Sequence, residues 1–296
     1  MSHHEHNDIP QEAFDWYDDY AHGGMDRRTF INKLGTLAAL GYSMTVLTSA
    51  LLPNYALAEQ VSFNDSDIKA SYEIFDSPLG HGKCKGYLVS PSQKGDNLPV
   101  VLVVHENRGL NPYIKDVARR LAKSGFIAFA PDALFSVGGY PGNDDEGRAL
   151  QSKMDRSKIE QDFIAAAKFL KMHTNSNGKL GAVGFCFGGY IVNYLAAVES
   201  DLITAGVPFY GTPAQPELRK NIKASLLIQL GELDDRVNKT WPEYERDLKR
   251  LGVPYQMHMY KSAKHGFHND STARYDKENA ELAWQRTLKF FTKELT

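Results

Sequence analysis

Cysteine is nearly missing: the 296 residues hold two, Cys84 and Cys186. That excludes a disulfide framework and any multi-cysteine zinc site, since those need four or more sulfur or histidine ligands at short spacing. Nor is there an excess of charge of one sign. Lysine and arginine number 34 against 36 acidic residues, for a net charge of −2, and the bases are dispersed, so no face is expected to hold DNA or RNA. Strongly apolar runs of membrane-spanning quality are scarce as well, and no internal repeat or low-complexity linker follows Ala58. What remains is ordinary globular composition, 42% hydrophobic and 24% charged, enough for one large core behind a leader. With so few cysteines, one is expected to carry chemistry.

The leader is read from order. Residues 26–33 run Asp-Arg-Arg-Thr-Phe-Ile-Asn-Lys, and the uncharged residues 34–52 that follow are only mildly apolar, interrupted by Gly35, Gly41 and several Ser and Thr. The stretch ends at Ala56-Leu57-Ala58, a small-residue cleavage pattern. This order resembles a twin-arginine export signal, which implies a folded cargo handed to the twin-arginine machinery, a periplasmic or secreted enzyme and a mature start at Glu59. Its length alone would also permit a membrane anchor if the leader is not cleaved; after cleavage no stable membrane partner is expected. The polar, histidine-bearing residues before Asp26 (His3, His4, His6, His22) read as a disordered n-region rather than a metal site.

Residues 59–296 alternate apolar runs with helical patterns, which predicts an α/β fold: a mostly parallel central sheet flanked by helices, with no large cap domain. Residues 100–104, Val-Val-Leu-Val-Val, form a β-branched run suited to a strand buried on both faces. Asn111 and Pro112 then supply an N-cap and first helical residue, and Gly125 ends that helix. Further strands are expected at 126–130, 180–183, 205–209, 226–230 and 255–260, with 68–75 and 85–89 paired as an antiparallel edge. Helices are expected at 155–172, 187–199, 240–251 and 276–293. Residues 132–153, rich in Gly, Asp and Pro, read as a long loop.

Residues 180–189 run Leu-Gly-Ala-Val-Gly-Phe-Cys-Phe-Gly-Gly, from a short strand directly into a helix. A nucleophile elbow belongs there, because a sharp turn with positive φ and close chain approach needs glycine two residues before and two after the nucleophile. Gly184 and Gly188 fill those places around Cys186. The bland alternatives are a small buried hydrophobe or a disulfide to Cys84. A carboxylate follows the strand at 226–230 in Gly-Glu-Leu-Asp-Asp-Arg-Val, and an imidazole follows 255–260 in Lys-His-Gly-Phe-His-Asn. Nucleophile, acid and histidine thus come in the order that an α/β-hydrolase requires. Asp234 and Asp235 compete for the acid, His265 and His268 for the base. His81, His105, His173 and His258 show no base-and-orienter arrangement.

Taken together, Gly-Phe-Cys-Phe-Gly-Gly, Gly-Glu-Leu-Asp-Asp-Arg-Val and Lys-His-Gly-Phe-His-Asn resemble the dienelactone hydrolase family over roughly residues 65–296. The resemblance implies Cys186 as nucleophile, His265 as base and Asp234 as its orienter, with Glu106 of His105-Glu106-Asn107-Arg108-Gly109 beside the sulfur as an auxiliary acid or base. It also implies an oxyanion hole from the backbone N–H groups of Asn107 and Phe187. The family's substrate-binding arginines are missing: residues 131–136 contain none, and Asn269 stands at the second place. Phe135, Tyr140, Tyr210 and Phe267 instead suggest a more neutral pocket. The expected activity is hydrolysis of a small-molecule ester or lactone through a thioester, with no metal or organic cofactor. An exported scaffold that retains the fold without turnover is the alternative; a redox role for Cys186 and Cys84 is disfavoured by the lack of a Cys-x-x-Cys pair.

Overall fold

The computed structural model describes residues 9–21, 23–51, 53–93 and 95–296. In chain order the elements are α1 (Gln11–Ala21), α2 (Arg27–Ala39), α3 (Met44–Leu51), α4 (Tyr55–Ala58), β1 (Ile68–Ser77), β2 (Gly82–Pro91), β3 (Leu98–Val104), α5 (Pro112–Lys123), β4 (Ile127–Asp132), α6 (Asp144–Gln151), α7 (Arg156–Lys171), β5 (Ser176–Phe185), α8 (Phe187–Val198), β6 (Ala205–Phe209), β7 (Ser225–Gly231), α9 (Asp235–Asn238), α10 (Trp241–Leu251), β8 (Tyr255–Tyr260) and α11 (Lys277–Leu295).

The eight strands form one sheet in the order β1-β2-β4-β3-β5-β6-β7-β8. β1 and β2 pair antiparallel, as do β2 and β4, whereas β3 to β8 run parallel. This is the α/β-hydrolase fold. Val100 to Val104 of β3 are wholly buried, as a run of β-branched residues covered on both faces should be. Asn111 caps α5 by accepting from the Ile114 N–H at 3.1 Å, with Pro112 as first helical residue. The sheet carries one apolar core on each face. One includes Phe163, Ile191, Leu226 and Leu248, and the other Val117, Phe209, Leu227 and Phe291. Successive parallel strands thereby deliver their C-terminal ends to one edge, where loop residues can converge.

Two expectations are corrected. Residues 132–153 are not structureless: a 3-10 turn, Phe135–Val137, precedes α6, whose N-cap Asn143 accepts from Glu146 N–H. Three acidic residues in its first turn, Asp144, Asp145 and Glu146, favour the positive end of the helix dipole. Residues 11–21, read as part of a disordered n-region, instead form α1. His3, His4, His6 and His22 lie outside the described residues. The uncharged stretch divides between α2 and α3, and among the described residues no helix is long and apolar enough to cross a membrane. Among the described residues no domain is inserted between strands of the sheet.

Candidate active site

β5 enters α8 through Cys186, whose φ of 57° and ψ of −112° lie outside the regions that L-residues favour. Such a residue costs roughly 1–3 kcal/mol and persists only where its surroundings impose it. Here they do. A Cβ on Gly184 would stand 2.1 Å from the Gly188 carbonyl oxygen, and one on Gly188 would stand 2.2 Å from that of Val104. The Cys186 N–H donates to the Phe209 carbonyl at 3.1 Å, which locks the turn to β6. The sulfur therefore sits at the positive end of α8, an environment that favours thiolate.

The acid and the imidazole are brought together by the loops after β7 and β8. The Glu232 N–H donates to Tyr260 O and the Leu233 N–H to Ala263 O, both at 2.9 Å. Gly231 allows this approach, because a Cβ there would meet Ala263 O at 2.6 Å. Asp234 Oδ2 then lies 2.6 Å from His265 Nδ1, and both side chains are buried. Burial alone would raise the Asp234 carboxyl, but His265, its hydrogen bond and Arg236 outweigh it and hold the group below the usual carboxylate range. An ionised acceptor at Nδ1 fixes the proton there and leaves Nε2 as the basic nitrogen. Of the rivals, Asp235 is exposed at the start of α9. His268 is buried with its Nδ1 2.7 Å from Tyr113 Oη, and burial pushes its imidazole well below the ordinary range.

Glu106 is fully buried just beyond β3. Burial raises its carboxyl, Arg108 opposes that, and the charge of Cys186 adds to it. Arg108 Nε stands 3.6 Å from Glu106 Oε2, Asn269 Nδ2 donates to the same oxygen at 3.3 Å, and Arg108 Nη1 reaches Asp144 at 2.7 Å.

A model of the dienelactone hydrolase family matches residues 84–295. The chain belongs to the dienelactone hydrolase family. A second model, described as YqhI-like, matches residues 1–39. An Escherichia coli K12 protein provisionally described as a hydrolase fragment, YghX, is 62% identical over 109 residues, spanning 37% of this chain and 93% of that protein. An Aquifex aeolicus protein provisionally named a carboxymethylenebutenolidase is 33% identical across 71% of this chain and 93% of its own length. A crystal structure provisionally described as a Klebsiella pneumoniae dienelactone hydrolase superposes with a TM-score of 0.66 at 27% identity, covering 76% of this chain and 99% of that one.

As a dienelactone hydrolase family member, the chain keeps a cysteine at its elbow, and the remaining residues singled out from sequence can be located. Tyr210 is buried with φ of 38°, and its ring centroid lies 4.9 Å from that of His265. Phe267 is an interior residue packed on Tyr210 and Tyr260 rather than a pocket wall. Phe135 is half-buried on its 3-10 turn, and Tyr140 donates to Asp144 at 3.0 Å. A cavity of about 680 Å³ adjoins Asn107 and Phe187, but its other walls include Tyr20, Arg27, Arg148, Arg156 and Ile159. The four aromatics are not among them. Cys84 forms no disulfide with Cys186. It donates to Asp162, which also pairs with His81 Nδ1, so His81 does have a carboxylate partner. Burial pushes the Cys84 thiol up to about 12. His105 is neutral and structural: its Nδ1 faces the Glu106 carbonyl, and its Nε2 accepts from the Ala133 N–H. Among the described residues no cluster of three or more His, Cys, Asp or Glu could hold a metal ion. Sequence reasoning missed the contacts of α1 with this edge, although Ala13, Phe14, Tyr17 and Ala21 have amphipathic spacing.

Proposed function

We propose that this chain hydrolyses ester or lactone bonds of small molecules through a thioester on Cys186. The observation that carries this reading is a thiol at a strained strand-to-helix turn, on the same sheet edge as a buried imidazole hydrogen-bonded to a carboxylate. The thiol proton passes to His265 Nε2 or to Glu106, and the thiolate adds to the carbonyl carbon. The oxyanion accepts from the Asn107 and Phe187 N–H groups, a contribution of about 3 kcal/mol per donor in comparable sites. The intermediate then collapses to a thioester as the alkoxide leaves with the proton held by whichever group received it, the His265 imidazolium or the Glu106 carboxyl. Water, deprotonated by His265, attacks the thioester, releases the acid and restores the thiol. Activated esters and lactones suit a cysteine better than amides do, because thiolate leaves in preference to an amine.

Intact-mass measurement across an ester and lactone panel should trap an acyl adduct on Cys186, and a short-chain aryl ester should be hydrolysed. Equal rates for wild type and Cys186→Ala would end the proposal. We further propose export by the twin-arginine route to the periplasm or medium. Supporting it, Arg27 and Arg28 are both exposed in the first turn of α2 while its Phe30, Leu34 and Leu37 are buried. N-terminal sequencing of the exported form should start at Glu59; accumulation solely in the cytoplasm would count against export.

A further inference from the structure

We infer that α1 to α3 form an intramolecular cap that shields Cys186, so that the chain carrying them docked is held inactive and removal or undocking of the segment exposes the thiol. The kinetic consequence rests on the ester-hydrolase reading; the consequence for the thiol does not.

The first observation is where α1 lies. Phe14, Tyr17 and Ala21 of its buried face meet the segments that follow β3 and β8. The Ala21 carbonyl accepts from the Asn107 side chain at 2.5 Å, and Arg108 Nη1 lies 3.5 Å from Tyr17 Oη. Across the edge, the Lys264 ammonium stands 3.6 Å from the Phe14 ring centroid, and the Arg274 guanidinium 4.9 Å from that of Tyr17. Lys264 immediately precedes His265, and Arg108 faces Glu106. One helix thus touches the neighbours of three groups in the proposed mechanism. Cys186 and His265 are left 6% and 3% exposed, and neither is part of the wall of the 680 Å³ cavity.

The second observation is how the segment is held. Its apolar residues, among them Phe14, Tyr17, Phe30, Leu34, Leu37, Leu47 and Leu51, form a core of their own, separate from both sheet cores. Of the body's apolar side chains, Ala273 is the one that packs against that core among the described residues. The attachment is instead made by cations over rings and by single hydrogen bonds, including Asn54 N–H to Ser271 O at 2.6 Å. The cations of the seam all come from the body, since α1 has no base: Lys264, Arg274 and Arg148 stand over Phe14, Tyr17 and Tyr20. A segment with its own core and a polar seam can separate without opening the enzyme's interior, which a plug built into the sheet cores could not do.

The test uses the full-length protein. Phe14→Lys sets a cation against Lys264, and Tyr17→Arg sets one against Arg108 and Arg274, so both should drive α1 off. A third arm inserts a site-specific protease sequence after Pro53, ahead of Tyr55 and Val61, which pack in a sheet core, and cuts the folded, otherwise wild-type chain there. Iodoacetamide labelling of Cys186, followed by peptide mass, should accelerate at least about tenfold in all three arms, the factor that corresponds to a cap docked in about nine molecules in ten. Cys84 should stay unlabelled, and its labelling in a variant would mark lost fold, in which case the cut wild type decides. Ester turnover should rise with the labelling rate. Faster labelling without turnover would keep the cap and remove the hydrolase reading. Cys186 labelling that is unchanged or slower in the cut wild type would overturn the cap.

Discussion

At the scale of single residues, the Asp234–His265 bond sets the tautomer on which both halves of the proposed cycle depend. Asp234→Asn keeps the shape but offers an amide that can donate to Nδ1, which moves the imidazole proton to the wrong nitrogen. The expected loss is about 10³- to 10⁴-fold in kcat with little change in stability, by analogy with serine-hydrolase triads; a loss under tenfold would mean that the tautomer is held otherwise. Glu106 acts on the sulfur through charge. Its carboxyl and Cys186 disfavour ionisation of each other, so Glu106→Gln should move the thiol titration to lower pH. The pH dependence of iodoacetamide labelling reads this directly, and an unmoved midpoint would show that the two groups do not sense each other. Asp234 could be singled out in sequence because it stands just beyond a strand end, where this fold collects chemistry, whereas Glu106 was singled out through the family resemblance. The choice of His265 over His268 needed the family spacing, since nothing local tells that only one of the two rings faces a carboxylate and that the other faces Tyr113 Oη.

Among the elements, the most exacting is the β5–α8 turn, where the glycines answer to backbone atoms rather than to flexible side chains. Gly188→Ala would press a methyl group to 2.2 Å from Val104 O and 2.8 Å from His105 O. Backbone there can yield only by shifting β3, so a destabilisation of about 1–3 kcal/mol or more is expected in urea unfolding. A wild-type midpoint would contradict it. The turn could be read from the glycine spacing; α6 could not, because residues 132–153 have no apolar period. Its signature was of another kind, Asn143 followed by three acidic residues. That helix matters because Asp144 neutralises Arg108, which is itself 4% exposed at its side chain beside Glu106. Arg108→Met strands two buried carboxylates and should cost about 3–5 kcal/mol. The Arg108→Met, Asp144→Asn double variant should cost less than the sum of the two single changes, as it does for contacting pairs.

For the whole molecule, what was legible was whatever sums along the chain: β-branched runs alternating with amphipathic helices specify a parallel sheet, and charge dispersion argues against a nucleic-acid face. What was not legible was the attachment of the N-terminal helices, because their seam consists of cations over Phe14, Tyr17 and Tyr20 and no hydrophobic period reports such partners. Acid stability is a property of the same scale. His105 and His268 are both buried, and burial holds both imidazoles below their ordinary range of about 6.5. The unfolded chain therefore binds more protons than the native one once pH falls below that range, so stability is fully present above about pH 6.5 and declines beneath it. Each histidine contributes a slope of at most about 1.4 kcal/mol per pH unit. Glu106 works the other way: with its carboxyl raised, its contribution is complete below the ordinary glutamic acid range and is lost as pH rises through its folded value. Asp270, whose carboxyl burial also raises, acts in the same sense as Glu106, and the two acids oppose His105, His258 and His268, all lowered by burial; with three imidazoles against two carboxyls in the window from about pH 6.5 to 5, the net slope should be positive. Urea midpoints at intervals across that window should fall with pH. His268→Gln, which can still meet Tyr113 Oη, should make the slope less positive by up to about 1.4 kcal/mol per pH unit; a profile as steep as wild type would mean that His268 is already protonated in the folded protein.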